Sequence, residues 1–182
     1  MPRASLHSQT RCRQRSECAR SGPIAAATGR QAHIAVRINP DVDAGSHPHI
    51  STGLKENKFG IDIATAVEAY RAAARLPNLD ITGVSCHIGS QVTKVSPFVD
   101  ALGRLQVLVR RLREEGMDIR YLDLGGGLGI TYREETPPLP AEYAGALLAM
   151  ACLLYTSDAA DELLCVHPGG RRILKKKTNY IT

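Results

Sequence analysis

Hydrophobic and polar positions follow regular periods only between His33 and Ala151. The run His33-Ile-Ala-Val-Arg-Ile-Asn39 is rich in β-branched residues and closed by Asn39-Pro40, which predicts a strand followed by a turn. Asp62 opens an alanine-rich stretch with Ile63, Val67, Tyr70 and Ala74 at helical spacing, stopped by Pro77-Asn78. Ile81-Thr-Gly-Val-Ser-Cys-His87 predicts a second strand. From Pro97 to Gly116, Phe98, Ala101, Leu102, Leu105, Leu108, Val109 and Leu112 fall on one stripe, the pattern of an amphipathic helix. Ile119-Arg-Tyr-Leu-Asp-Leu124 predicts a third strand, running into Gly125-Gly-Gly-Leu-Gly129. A third helix begins near Pro140 and takes in Tyr143, Leu147 and Leu148. Three strand–helix units with short links imply an α/β fold with parallel strands joined by right-handed crossovers.

Outside that window the periods fail. Residues 1–23 show only Arg, Ser, Gln and Cys in irregular order, and are expected to be an irregular, non-native extension. Residues 24–151 form the expected domain. Cys152 to Glu162 reads back into codons as a transposase mosaic-end adapter, so residues 152–182 are expected to be an artefactual tail.

The charge follows the same division. The formal charge is +5 over 182 residues, yet residues 31–151 hold 12 basic and 14 acidic side chains. The positive excess lies in the two ends, so a basic nucleic-acid-binding face is not expected on the domain. No stretch approaches the roughly 18 apolar residues of a membrane span, and the N-terminus has no apolar h-region. Five cysteines without framework spacing argue against a disulfide-stapled secreted domain. A cytoplasmic protein without nucleic-acid or membrane partners is the expectation.

Two strand ends carry the candidate chemistry. Gly125-Gly126-Gly127-Leu128-Gly129 directly follows a strand, where glycines allow positive φ and let N–H groups converge on an anion such as phosphate. The run fails the dinucleotide fingerprint, since Ile130 stands where its last glycine should be, and no Gly-Lys-Ser/Thr follows for a P-loop. A plain tight turn explains such a run about as well. Cys86-His87-Ile-Gly-Ser90-Gln91 ends the second strand, where open α/β sheets and barrels keep their sites. His87 could stack on a planar cofactor and Ser90 could bond a phosphate. From this motif alone, a histidine satisfied within its loop is the favoured reading. Cys86 reads as a small buried hydrophobe. His47 and His49 lack a third ligand at metal spacing, so no metal is expected. Lys55 and Lys58 sit among polar neighbours and read as solvated or ion-paired.

Taken together, Arg37-Ile-Asn-Pro-Asp41, Ser51-Thr-Gly-Leu-Lys-Glu-Asn-Lys-Phe-Gly60, Gly83-Val-Ser-Cys-His-Ile-Gly-Ser-Gln91 and Leu122-Asp-Leu-Gly-Gly-Gly-Leu-Gly-Ile130 resemble the diaminopimelate decarboxylase family. The resemblance covers about residues 24–151. It implies part of an eight-stranded (β/α) barrel, about three βα units of it, from an enzyme that works as a homodimer. It further implies pyridoxal 5′-phosphate as cofactor and conversion of meso-diaminopimelate to L-lysine and CO₂. By the same resemblance His87 matches the histidine that stacks on the pyridine ring. Ser90, Gly125, Gly126 and Gly127 match the phosphate contacts, and Arg37 and Lys58 match residues near the cofactor.

The family's Schiff-base lysine has no counterpart in the matched region, so no catalytic residue is assigned. The Glu-Pro-Gly motif expected after the third helix is also absent, and the isolated chain is expected to be inactive. Another enzyme of the same fold type, an ornithine/arginine-type decarboxylase or a racemase, is the competing reading. A basic nucleic-acid-binding protein or a non-functional truncated product stands outside that class.

Overall fold

The computed structural model describes residues 10–12, 15–44, 59–131, 135–157 and 165–167. The predicted strands form at β2 (Ala32–Asn39), β4 (Leu79–Ser85) and β5 (Tyr121–Asp123), and the predicted helices at α2 (Ala66–Ala74), α3 (Ser96–Glu114) and α4 (Pro140–Ser157). To these the structure adds β1 (Thr10–Cys12), α1 (Arg15–Ala27), β3 (Ile61–Asp62) and β6 (Cys165–His167).

Local chemistry sets the helix ends. Asp62 Oδ1 accepts from the Ala64 N–H at 3.0 Å and caps the short 3-10 turn Ile63–Thr65 that leads into α2. At the far end of α3, Gly116 takes a φ of +81°. Its N–H donates to the Arg113 carbonyl at 2.8 Å, and the Met117 N–H donates to the Leu112 carbonyl at 3.1 Å. That is a Schellman ending, which satisfies carbonyls the helix would otherwise leave bare.

The five strands β1, β2, β4, β5 and β6 lie parallel in that order, with β3 paired to the end of β2. Spatial order therefore follows chain order, as in a singly wound barrel. The helices follow suit: α1 packs on α2, α2 on α3 and α3 on α4. Among the described residues β1 and β6 are the sheet's two edges.

The core lies between sheet and helices. Ile34, Val36, Val84 and Leu122 share one buried cluster with the α3 stripe, of which Phe98, Leu102, Leu105 and Leu112 are at most 1% exposed. Each such side chain contributes roughly 1.5–3 kcal/mol by leaving water. Tyr70 from α2 is fully buried, and its hydroxyl donates to the Gly83 carbonyl at 2.9 Å, tying the helix to β4.

Regular backbone extends beyond the predicted periods at both ends. Residues 1–23 are not irregular over their described part, because β1 pairs with β2 and α1 covers the sheet beside it. Cys18, Gly22 and Ala25 form the buried stripe of α1 at helical spacing. These side chains are too small to register as a hydrophobic period, and they leave an apolar cavity lined by Cys18, Val36, Ile61, Ala69, Ala73 and Leu76. Regular backbone also continues past Ala151. Helix α4 runs on through Ser157 because no proline or glycine interrupts Ala146–Ser157, and β6 pairs with β5 beyond it. The barrel segment thus has four strand–helix units and a fifth strand, one unit more than the pattern implied.

Candidate functional site

The site grows from the C-terminal ends of β2, β4 and β5. In register, Arg37 of β2 lies opposite Ser85 of β4, and Ser85 opposite Asp123 of β5. Side chains in register on parallel strands leave the sheet on the same face, so these three polar residues form one row across it. Ser85 and Asp123 are buried, and the Ser85 hydroxyl has no hydrogen-bond partner among the described residues. An orphaned buried hydroxyl in such a row is what a binding site leaves when its ligand supplies the missing partner.

Two loops continue from these strands and dock on each other. The Cys86 N–H donates to the Asp123 carbonyl at 2.7 Å, which extends the pairing of β4 with β5 into the loops. Further on, the Val92 N–H donates to the Gly127 carbonyl at 2.8 Å and the Gly129 N–H to the Val92 carbonyl at 2.9 Å. Gln91 clamps the outer end. Its side-chain oxygen accepts from the Ile130 N–H at 3.1 Å, and its side-chain amide donates to the Ile130 carbonyl. Gln91 holds φ +58°, a left-handed conformation at a non-glycine residue, within this clamp.

Two of the three glycines are required by this approach. Gly125 has φ +72°, and a Cβ on it would stand 2.7 Å from the Cys86 carbonyl oxygen and 2.9 Å from His87 Nδ1. Gly127 has φ +109°, and its Cβ would stand 1.9 Å from the Gly89 carbonyl oxygen. A Cβ on Gly126, by contrast, would meet nothing within 4 Å. The loop is therefore packed on both shoulders and open at its middle, a shape that can receive an anion on bare backbone.

His87 is partly buried beside the glycine loop, and Ser90 is exposed in the same loop. Arg37 reaches this corner as well, donating from its guanidinium to the His87 carbonyl at 3.4 Å and lying 6.0 Å from the Phe59 ring centroid. The structure thus brings together Arg37, His87, Ser90, Gly125, Gly126 and Gly127. Lys55, Lys58, His47 and His49 lie outside the described residues. Cys86 is 4% exposed; burial, together with the Asp123 carboxylate, pushes its thiol up to about 12, so it behaves as the buried hydrophobe its sequence context suggested. No group of three or more His, Cys, Asp or Glu among the described residues could hold a metal ion.

Sequence reasoning alone does not single out two residues of the site. Gln91 stands inside a motif, and its clamp depends on a contact 39 residues away. Asp123 stands inside a β-rich run. Its carboxylate accepts from the Gly125 N–H at 2.8 Å, and the available signal was an Asp two residues before a glycine, the spacing of an Asx turn.

A singly wound parallel sheet with its loops gathered at the C-terminal strand ends is the architecture of a (β/α) barrel segment. The family model described as "Pyridoxal-dependent decarboxylase, pyridoxal binding domain" matches residues 18–172, and the chain belongs to that family. The chain is 56% identical over 133 residues to a diaminopimelate decarboxylase of Haemophilus influenzae, covering 73% of this chain and 32% of that protein. It is 60% identical over 146 residues to one of Pseudomonas fluorescens, covering 80% of this chain and 34% of that protein. The chain therefore spans about a third of the length of these relatives. Among solved structures, the diaminopimelate decarboxylase of Helicobacter pylori complexed with L-lysine superposes with a TM-score of 0.77 at 33% identity, over 88% of this chain and 39% of that one. No helix among the described residues is long and apolar enough to cross a membrane.

Proposed function

We propose that this chain is the cofactor-binding part of a diaminopimelate decarboxylase, which converts meso-2,6-diaminopimelate to L-lysine and CO₂ with pyridoxal 5′-phosphate. The observation that carries the reading is the docking of the His87 loop on a glycine loop whose middle is open, in a chain 56% and 60% identical to two relatives of that name. Gly125, Gly126 and Gly127, with Ser90, would hold the phosphate. His87 would lie on the pyridine ring, and Arg37 and Lys58 would stand near the cofactor. Bound there, the cofactor supplies an electron sink for the charge left when CO₂ departs. The protein's part is to bind and orient, with backbone amides at the strand ends and the Ser85 hydroxyl turned to the same face. The whole enzyme is read as a cytoplasmic homodimer acting on a small-molecule substrate.

Two measurements test this. The 182-residue chain should bind pyridoxal 5′-phosphate more tightly than pyridoxal, and His87→Ala should weaken both. For the substrate, residues 24–151 would replace the matching segment of the Pseudomonas fluorescens relative. The folded chimaera should release lysine from meso-diaminopimelate and spare a lysine auxotroph its supplement. A folded, cofactor-loaded chimaera that makes no lysine would overturn the substrate assignment.

A further inference from the structure

Asp123 occupies an unusual position for a buried carboxylate. It is 8% exposed, at the end of β5, and the glycine run begins two residues further on. Its backbone carbonyl accepts the Cys86 N–H at 2.7 Å, which fixes the β4 loop, and its carboxylate Oδ1 accepts the Gly125 N–H at 2.8 Å, which fixes the β5 loop. One residue thereby sets both walls of the site. Glycine visits positive and negative φ about equally, so three glycines in a row have little preference of their own for the turn seen here. The bond to Asp123 arrests Gly125 at φ +72°, and the N–H groups of Gly126 and Gly127 meet no acceptor among the described residues.

We propose that Asp123 is a positioning residue whose carboxylate sets the glycine loop in the shape that offers the amides of Gly126 and Gly127 to an anion. The inference rests on the function proposed above, which makes that anion the phosphate of the cofactor. A carboxylate beside a phosphate site repels its guest, so its presence there calls for a compensating gain. Here the gain is order: the carboxylate holds the Gly125 N–H inside the turn, and the amides of Gly126 and Gly127 are left for the ligand. An acceptor of the same shape without charge should serve the loop equally well, which separates this role from a proton-transferring one.

The test compares pyridoxal 5′-phosphate with pyridoxal on the full 182-residue chain, in unsubstituted, Asp123→Ala and Asp123→Asn forms. The alanine variant should lose about tenfold in affinity for the phosphorylated compound, the scale of one hydrogen bond to a charged group, with pyridoxal affinity unchanged. The asparagine variant should keep its preference for the phosphorylated compound, since its side-chain oxygen can still accept from Gly125. Amide hydrogen exchange at Gly125 should be slow in the unsubstituted and asparagine forms and fast in the alanine form. Equal preference for the phosphorylated compound in the unsubstituted and alanine forms would overturn the positioning role and leave the cofactor reading intact. Absence of any phosphate-dependent binding by the unsubstituted chain would overturn the cofactor reading and this inference with it. Should the alanine variant fail to fold, rapid exchange at Gly125 in the unsubstituted chain, or lost phosphate preference in the asparagine variant, would overturn the role.

Discussion

The space beside Gly127 is taken by the carbonyl oxygen of Gly89, which would stand 1.9 Å from a Cβ at that position. No side-chain rotation relieves that contact, because the backbone fixes where a Cβ stands and the oxygen is itself backbone. Gly127 also holds φ +109°, outside the range L residues adopt with ease. The docking of the two site loops therefore depends on a missing atom.

Gly127→Ala should accordingly destabilise the chain by roughly 2–4 kcal/mol, combining backbone strain with overpacking. Thermal unfolding followed by circular dichroism measures it. A midpoint within a degree of the unsubstituted chain would show that the loops are not held together as described.

Tyr70→Phe removes a hydroxyl that donates chiefly to the Gly83 carbonyl at 2.9 Å, with the Val36 carbonyl at 3.5 Å, in a fully buried setting. The ring still fills its place, so the loss is the hydrogen bond alone, about 1 kcal/mol. Urea unfolding should show a lower midpoint at unchanged slope. A changed slope would mean that the variant altered compactness, contrary to a local loss.

How far the sequence disclosed this site depended on the range of the signal. The α3 stripe and its stop at Gly116 were legible because a period of 3.6 residues and a terminal glycine are local properties. The strand ends at His87 and Gly125 were legible for the same reason, since each follows a β-rich run directly. Helix α1 was missed because Cys18, Gly22 and Ala25 bury little apolar surface and Pro23 sits inside it. In α2, Ala73 is the buried residue and Ala74 is exposed, a one-residue error that an alanine run hides. The Gln91 clamp and the Arg37 contact with the His87 carbonyl join residues 39 and 50 positions apart, and no local pattern announces either.

The ion pair between α2 and the end of α3 gives a pH-dependent prediction. Arg71 donates from two guanidinium nitrogens to Glu115, each at 2.7 Å, and this holds the Glu115 carboxyl below its ordinary 4.5. A carboxyl depressed in the folded state adds stability above its unfolded value and loses it as pH falls through the folded value. The pair is open to solvent, with Arg71 half exposed, so the effect is small and salt-sensitive. Glu115→Gln should lower the melting temperature slightly at pH 6–7, and the difference should shrink as pH falls below about 4.5 and disappear once the folded carboxyl is protonated as well. A difference that stays constant from neutral pH to strong acid would assign it to packing instead of charge.

Gly126→Ala separates folding from binding within the same loop. A Cβ there meets no protein atom within 4 Å, and Gly126, unlike its two neighbours, is not held at positive φ. The substitution should therefore leave the unfolding midpoint within about 0.5 kcal/mol of the unsubstituted chain, as at a surface position. If the open middle of the loop receives the cofactor's phosphate, the same methyl group stands in or beside the space that the anion must enter. Affinity for pyridoxal 5′-phosphate should then fall by at least about tenfold, equivalent to roughly 1.4 kcal/mol, and affinity for pyridoxal should change little. The contrast with Gly127→Ala is the informative part: one glycine is kept for the protein's own packing and the other for its ligand. A Gly126→Ala chain that is stable and binds the phosphorylated cofactor as tightly as before would place the anion elsewhere, with Ser90 the next residue to substitute.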